Sequence, residues 1–158
     1  MLVAIDEAEK AGLRDEVPVG AAIYDHEHGH IVAKAGNNVR SLNDPTAHAE
    51  ILVIREACKK IGQSRLAFFS LYVTLEPCPM CCQAISFARL PKLVFGAYDT
   101  KGGGVEHGPK IFSHPTSHHY LEILGGIEEQ RCGELLTDFF NKKRQEGSSL
   151  KKTITKAS

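Results

Sequence analysis

Leu71-Tyr-Val-Thr-Leu75 and Lys92-Leu-Val-Phe-Gly-Ala97 are two short apolar runs with β-branched and aromatic residues, and the stretch between them is bracketed by Pro79 and Pro91. Runs of this kind suit the pleated surface of a buried strand. Proline is at home in the first turn of a helix and excluded from its interior, so the spacing predicts strand, then helix over roughly Pro79–Leu90, then strand. The alternation recurs along the chain. Val19–Tyr24 and Ile31–Ala35, separated by Asp-His-Glu-His-Gly-His, read as a hairpin with Gly29 in the turn. Leu2–Ala11 has near-helical apolar spacing and stops at Gly12. Asp44-Pro45 reads as a cap and first helical position. The helix it opens carries Ala47, Ile51, Leu52, Ile54, Ala57, Cys58 and Ile61 and ends at Gly62. Tyr120–Leu124 reads as a last strand, and Glu128 to about Gln145 as a last amphipathic helix. Asp99–Ser113 is glycine-rich and irregular, the kind of exposed loop that carries function. The expected fold is a three-layer α/β/α sandwich, a mixed five-stranded sheet with helices on both faces.

At 158 residues the chain makes one domain with enough buried surface to need neither disulfides nor a structural metal to hold it together. No apolar run reaches the ~18–20 residues that cross a bilayer, so no membrane partner is expected. The first ten residues hold acids where a signal peptide would have a basic and then a long apolar stretch, and the cytoplasm is the expected compartment. There the five cysteines are thiols, ligands or a nucleophile rather than disulfides. Formal net charge is zero, but residues 1–140 hold 13 Lys/Arg against 18 Asp/Glu, and residues 141–158 hold six against one. A basic end on an acidic body suits a polyanion partner. We therefore expect one domain over residues 1–146 and a flexible basic tail over 147–158.

Two segments carry the chemistry: Thr46-Ala47-His48-Ala49-Glu50 and Glu76-Pro77-Cys78-Pro79-Met80-Cys81, each at an expected helix start. Three residues apart on a first helical turn, the Cys78 and Cys81 sulfurs face the same side, and His48 can add an imidazole from the neighbouring helix. This is a Cys₂His zinc site. A helix N-terminus favours negative charge and so lowers the cost of ionising both thiols. Three protein ligands leave a position for water, the mark of catalytic zinc. Cys82 points about 100° round the helix from Cys81, and Cys58 lies roughly 15 Å up the other helix from His48, so both read as small buried hydrophobes, as does Cys132. Two thiolates offset the metal's charge and leave its water less acidic, so a protein base is needed. Glu50 is about 200° from His48 on an ideal helix, but from a first turn both can reach one pocket, Glu50 as proton shuttle.

His48-Ala49-Glu50 with Pro77-Cys78-Pro79-Met80-Cys81 resembles the zinc nucleobase deaminases. Further blocks, Glu16-Val-Pro-Val-Gly-Ala21, Asn43-Asp-Pro-Thr-Ala-His-Ala-Glu50, Leu71-Tyr-Val-Thr-Leu-Glu-Pro-Cys78, Val94-Phe-Gly-Ala97 and Asp138-Phe-Phe140, resemble the bacterial tRNA adenosine deaminases over about residues 2–146. That resemblance implies a cytidine-deaminase-like fold, one Zn²⁺ per subunit and hydrolysis of adenosine to inosine at the wobble position of a tRNA anticodon stem-loop, with Glu50 moving the proton. It also implies a homodimer. Asn37 would hydrogen-bond the purine, and Asp99, Lys101, Phe140 and Arg144 would contact flanking nucleotides. His118, assigned to the same substrate surface, stands where the family has an asparagine, and the tail reads Asn141-Lys-Lys-Arg144 where arginines are commoner. Lysine keeps phosphate attraction but loses the planar fork. A loop nucleotide must be extruded into the pocket while the strand is held on either side, and a basic, aromatic last helix provides such a surface. The alternatives are a deaminase of a small free base or nucleoside, of guanine or cytosine type, and a zinc-stabilised RNA-binding module. Glu50 argues against the second, because a structural zinc has no use for an acid beside it. His26, His28 and His30 read as an exposed hairpin tip. Gly102-Gly-Gly104 lacks the Lys-Ser/Thr of a phosphate-binding loop.

Overall fold

The computed structural model describes the backbone of residues 1–156 and the side chains of residues 1–147. In chain order the elements are α1 (Leu2–Leu13), β1 (Gly20–Asp25), β2 (His30–Gly36), α2 (Val39–Leu42), α3 (Ala49–Ile61), β3 (Phe69–Leu75), α4 (Pro79–Phe87), β4 (Lys92–Ala97), β5 (Glu122–Leu124) and α5 (Glu129–Lys156). The five strands form one sheet in the order β2-β1-β3-β4-β5. β1 is antiparallel to both β2 and β3, whereas β3, β4 and β5 run parallel, so the sheet is mixed as expected.

Helices cover both faces. α3 packs on β1 and β2 and meets α4, whereas α1 and α5 meet each other against β1, β3 and β4. The alternation of strand side chains separates the two layers. Ala21, Ile23, Leu71, Val73, Leu93 and Phe95 join Val53, Ala57, Cys82 and Ile85 in the main core, and Ile5 of α1, Cys132 of α5 and Ala97 at the end of β4 form a smaller cluster. Small residues bring α1 and α5 close to the sheet. A Cβ on Gly20 would lie 2.1 Å from the Ala4 carbonyl oxygen of α1, and one on Gly96 would lie 2.5 Å from Cys132 Sγ of α5.

The structure corrects several expected boundaries. Asp44-Pro45 does not open α3. Asp44 Oδ1 instead accepts the Thr46 N–H at 2.8 Å and its hydroxyl at 2.7 Å, a local turn that competes with helix for the same donors. The helix starts one turn later, with His48 as its N-cap in extended backbone. The preceding short α2 has no apolar period to announce it in the sequence. α4 ends at Phe87, before Pro91 could stop it, and Arg89 turns the chain in the left-handed region at φ 56°. β5 is two residues shorter than Tyr120–Leu124, and α5 begins at Glu129 and continues to Lys156, past the expected end near Gln145. The expected flexibility of 147–158 falls largely on residues whose side chains lie outside the described ones.

Candidate active site

The carboxyl ends of the parallel strands are where an open α/β sheet builds its sites, because the chain leaves each strand there on its way to the next element. β3 runs through Glu76-Pro77 into Cys78, and β4 runs into Asp99. Cys78 is the N-cap of α4 in extended backbone, with Pro79 at the first helical position, and Cys81 sits in the first turn. His48 holds the same N-cap place on α3. Two helix N-termini therefore converge on one spot, and their dipoles favour negative charge there.

The side chains meet as the spacing predicted. His48 Nδ1 lies 3.7 Å from Cys78 Sγ and 3.6 Å from Cys81 Sγ, and all three donor atoms are within 4.8 Å of one another. The donor set and its dimensions fit zinc. Bonds of about 2.3 Å to sulfur and about 2.05 Å to nitrogen at a tetrahedral angle place N and S about 3.6 Å apart. Among the described residues no fourth His, Cys, Asp or Glu joins this cluster. Cys82, next in sequence, is buried and turns its thiol to the Pro77 carbonyl at 3.4 Å. Cys132 is buried and Cys58 half-buried, and both are free thiols, as expected of small hydrophobes.

Glu50 completes the centre. Its carboxyl is buried, only 4% exposed, and lies against the Cys81 thiol and near His48 and Cys78 without being one of the three clustered donors. The 200° separation from His48 on an ideal helix does not arise, because His48 is in extended backbone outside the helix and only Glu50 is inside it. Burial pushes the Glu50 carboxyl up to about 7, with the positive His48 opposing. The Cys81 thiol's hydrogen bond holds Cys78 well below its ordinary value despite burial, and His48 adds to the effect. Cys81, donating that bond from a buried position, moves the other way. The bond to Cys78 raises His48.

Asn37 is buried at the rim. Its Oδ1 accepts the Ala49 N–H at 2.9 Å, which places its amide beside His48 and Glu50. Asp99 Oδ1 accepts the N–H groups of Lys101 and Gly102, at 3.0 and 2.8 Å, and Lys101 is exposed next to it. His118 is elsewhere. It lines a cleft of about 430 Å³ with Gln83, Phe87, Arg89 and His114, and its carbonyl accepts Arg89 Nη1 at 2.9 Å. Phe140 and Arg144 lie exposed on α5, Phe140 edge-on to Phe139 and Arg144 bonded to Asn141 Oδ1. Among the described residues no hydrogen bond joins His118, Phe140 or Arg144 to the cysteine-histidine centre. The hairpin histidines bind within the hairpin and to β3, His28 to Asp25 Oδ2 at 2.9 Å and His26 to Ser70 Oγ at 2.6 Å.

Glu16 and Glu76, which open two of the sequence blocks but carry no expected role there, are buried carboxylates that organise the segments around the site. Glu16, 1% exposed, accepts the N–H groups of Arg40 and Ser41 and the Ser41 hydroxyl, which fixes the segment that follows Asn37. Glu76, 2% exposed, accepts five hydrogen bonds from residues 99–107. The only signal for Glu76 is an acid at the end of an apolar strand run, directly before Pro-Cys.

A model of the cytidine and deoxycytidylate deaminase zinc-binding region matches residues 1–97. A tRNA-specific adenosine deaminase of Agrobacterium fabrum is 53% identical over 144 residues, covering 91% of this chain and 93% of that protein. A solved structure from work on A-to-I editing by tRNA:A34 deaminases at the wobble position superposes with a TM-score of 0.83. It is 53% identical and covers 86% of this chain and 97% of its own. The structure of a Bacillus subtilis guanine deaminase is 35% identical, covers 75% of this chain and 78% of its own, and superposes with a TM-score of 0.59.

Proposed function

This chain belongs to the cytidine and deoxycytidylate deaminase zinc-binding family, and we propose that it is a tRNA adenosine deaminase converting the wobble adenosine of an anticodon stem-loop to inosine. The observation that carries the hydrolytic reading is a three-donor zinc site with a buried carboxyl group beside it and no fourth side chain in its donor cluster among the described residues. The relatives at 53% identity carry the choice of substrate.

His48, Cys78 and Cys81 would hold one Zn²⁺ per subunit, which when bound would activate a water for attack. Glu50 moves protons. With its carboxyl pushed up to about 7 it can take one proton from the attacking water and pass it to the purine ring, then carry the second, from the new C6 hydroxyl, to the amine that leaves C6 as ammonia. The net change is adenosine plus water to inosine plus ammonia. Asn37 has its oxygen engaged by the Ala49 N–H, which leaves its amide nitrogen to donate to the base. Asp99 and Lys101 on the loop, His118 on its cleft, and Phe140 and Arg144 on α5 serve the flanking nucleotides, His118, Phe140 and Arg144 as outlying contacts reached by an extended strand. Residues 1–146 form the deaminase domain, with 147–158 as a basic extension.

The same reading favours a homodimer. Met80, Gln83, Ala84 and Phe87 line one side of α4 at helical spacing, with Met80 36% and Phe87 73% exposed. A second copy on this face would sit one helix from the zinc donors. No described helix is long and apolar enough to cross a membrane, and a cytoplasmic location goes with a tRNA substrate.

The test offers the zinc-loaded protein an anticodon stem-loop with a wobble adenosine and, separately, free guanine, cytosine and adenine. Inosine and ammonia from the stem-loop are the expected products. Turnover of a free base with an inert stem-loop would overturn the reading in favour of a free-base deaminase.

A further inference from the structure

We propose that Glu76 and His107 form a positioning pair that holds the loop 99–107 against the zinc-ligand turn and so sets the grip on the RNA flanking the target base. The inference rests on the substrate reading above and names the residues that act through Asp99 and Lys101.

Every polar direction of the Glu76 carboxylate is used by this one loop. Oε1 accepts the N–H groups of Val105, Glu106 and His107 at 3.2, 2.8 and 2.9 Å. Oε2 accepts the Asp99 N–H at 3.0 Å and is 2.8 Å from His107 Nδ1. The side chain is fully buried, so these bonds replace all the water the carboxylate would otherwise hold. Glu76 also lies two residues before Cys78. Its backbone belongs to the turn that presents the first zinc thiolate, while its side chain organises the loop that presents Asp99 and Lys101.

The loop is pressed against that turn. The Gly104 N–H donates to the Pro77 carbonyl at 2.8 Å. A Cβ on Gly104 would lie 2.8 Å from Pro79 N, and one on Gly103 would lie 2.6 Å from the Glu76 carboxyl carbon. Gly102-Gly-Gly104 is thus a close-approach segment, and no phosphate cradle is needed to explain it. His107 is the accessible half of the pair, with its side chain 34% exposed, and Tyr98 packs edge-on to it with ring centres 5.9 Å apart.

His107→Ala removes one donor and leaves the four backbone donors in place, so it tests the pair without emptying the core. His107→Asn puts an amide nitrogen where Nδ1 stood and restores the donor. The zinc-loaded variants are compared with the parent in stem-loop deamination and in backbone amide exchange at Asp99, Glu106 and His107. Loss of one hydrogen bond to a charged acceptor predicts a KM about tenfold higher for His107→Ala, with kcat within about twofold and zinc per chain unchanged. Amide exchange in the loop should accelerate about tenfold, and His107→Asn should recover most of both changes. An unchanged KM and exchange, a fall in kcat at constant KM, or no recovery with Asn would each overturn the pair. Glu76→Gln should raise KM further, and if that chain loses zinc or does not fold, the His107 variants decide alone. If the parent does not deaminate the stem-loop, the substrate reading fails, and exchange still decides whether the pair holds the loop.

Discussion

Replacing Glu50 by Gln should lower turnover by about 10²–10⁴-fold and, in the metal-free protein, make the fold more resistant to unfolding at alkaline than at acid pH relative to the parent. The two effects share one cause. A buried carboxyl pushed up to about 7, from an ordinary value of 4.5, keeps its proton in the folded chain over a range where the unfolded chain gives it up. Between those values the unfolded state binds fewer protons, so parental stability falls as pH rises through this window and levels off above it. A separation of about 2.5 units at about 1.36 kcal/mol each gives a cost of about 3 kcal/mol at pH 8 that is nearly absent at pH 4. Glutamine has nearly the same shape and no such proton. Urea unfolding of chelator-treated parent and Glu50→Gln should therefore show a stability gap that widens by about 3 kcal/mol from pH 4 to pH 8. Zinc-loaded Glu50→Gln should keep its metal and lose about 10²–10⁴-fold in kcat, the usual contribution of a positioned acid–base group. A gap that does not change with pH, or narrows, would refute burial as the cause, and loss of zinc with Glu50→Gln would make the carboxylate a ligand.

Cys78→Ala should lose both zinc and turnover while far-UV circular dichroism stays close to the parent's, because the core does not depend on the metal. Gly96→Ala places a methyl 2.5 Å from Cys132 Sγ and 2.6 Å from the Thr74 carbonyl, which should push α5 off β4. We expect a loss of about 2 kcal/mol and a Tm lower by about 5 °C in calorimetry. Burial raises the Glu16 carboxyl, but the Ser41 and Arg40 N–H groups outweigh it and hold the group below its ordinary 4.5. It therefore adds stability above pH 4.5 that is lost as pH falls through its folded value, so the advantage of the parent over Glu16→Gln in urea at pH 7 should shrink by pH 3.5. Arg144→Ala should weaken stem-loop binding and reduce the slope of log K against log salt by about one, measured by fluorescence anisotropy, if Arg144 meets a phosphate.

His-x-Glu and Pro-Cys-x-x-Cys were readable as a zinc site because metal donors need particular atoms at short separations, and helix starts limit where such atoms can be. The five strands were readable because apolar runs have few other places to go. Other features were not. The α3 start is not legible because Asp44 can cap a helix or close a turn with nearly the same local bonds, and in the fold it closes the turn on Thr46. His48 and Cys78 both became N-caps in extended backbone, a state that places their donors 3.7 Å apart and that no periodicity encodes. Glu16 and Glu76 look like ordinary surface acids in a string of letters, and their burial follows from which loops fold back over them.

Local composition and spacing by themselves determined the α/β class and marked the Cys78–Cys81 pair, His48 and the adjoining acid as candidates, since strand runs and helix starts are local features, while the meeting of the two helix starts 30 residues apart is the work of the fold. Tertiary structure decided where Glu50 points, how far its proton is held, and which loop leans on Glu76. These are properties of partners distant in the chain, and a buried charge has no meaning until the fold has removed the water around it.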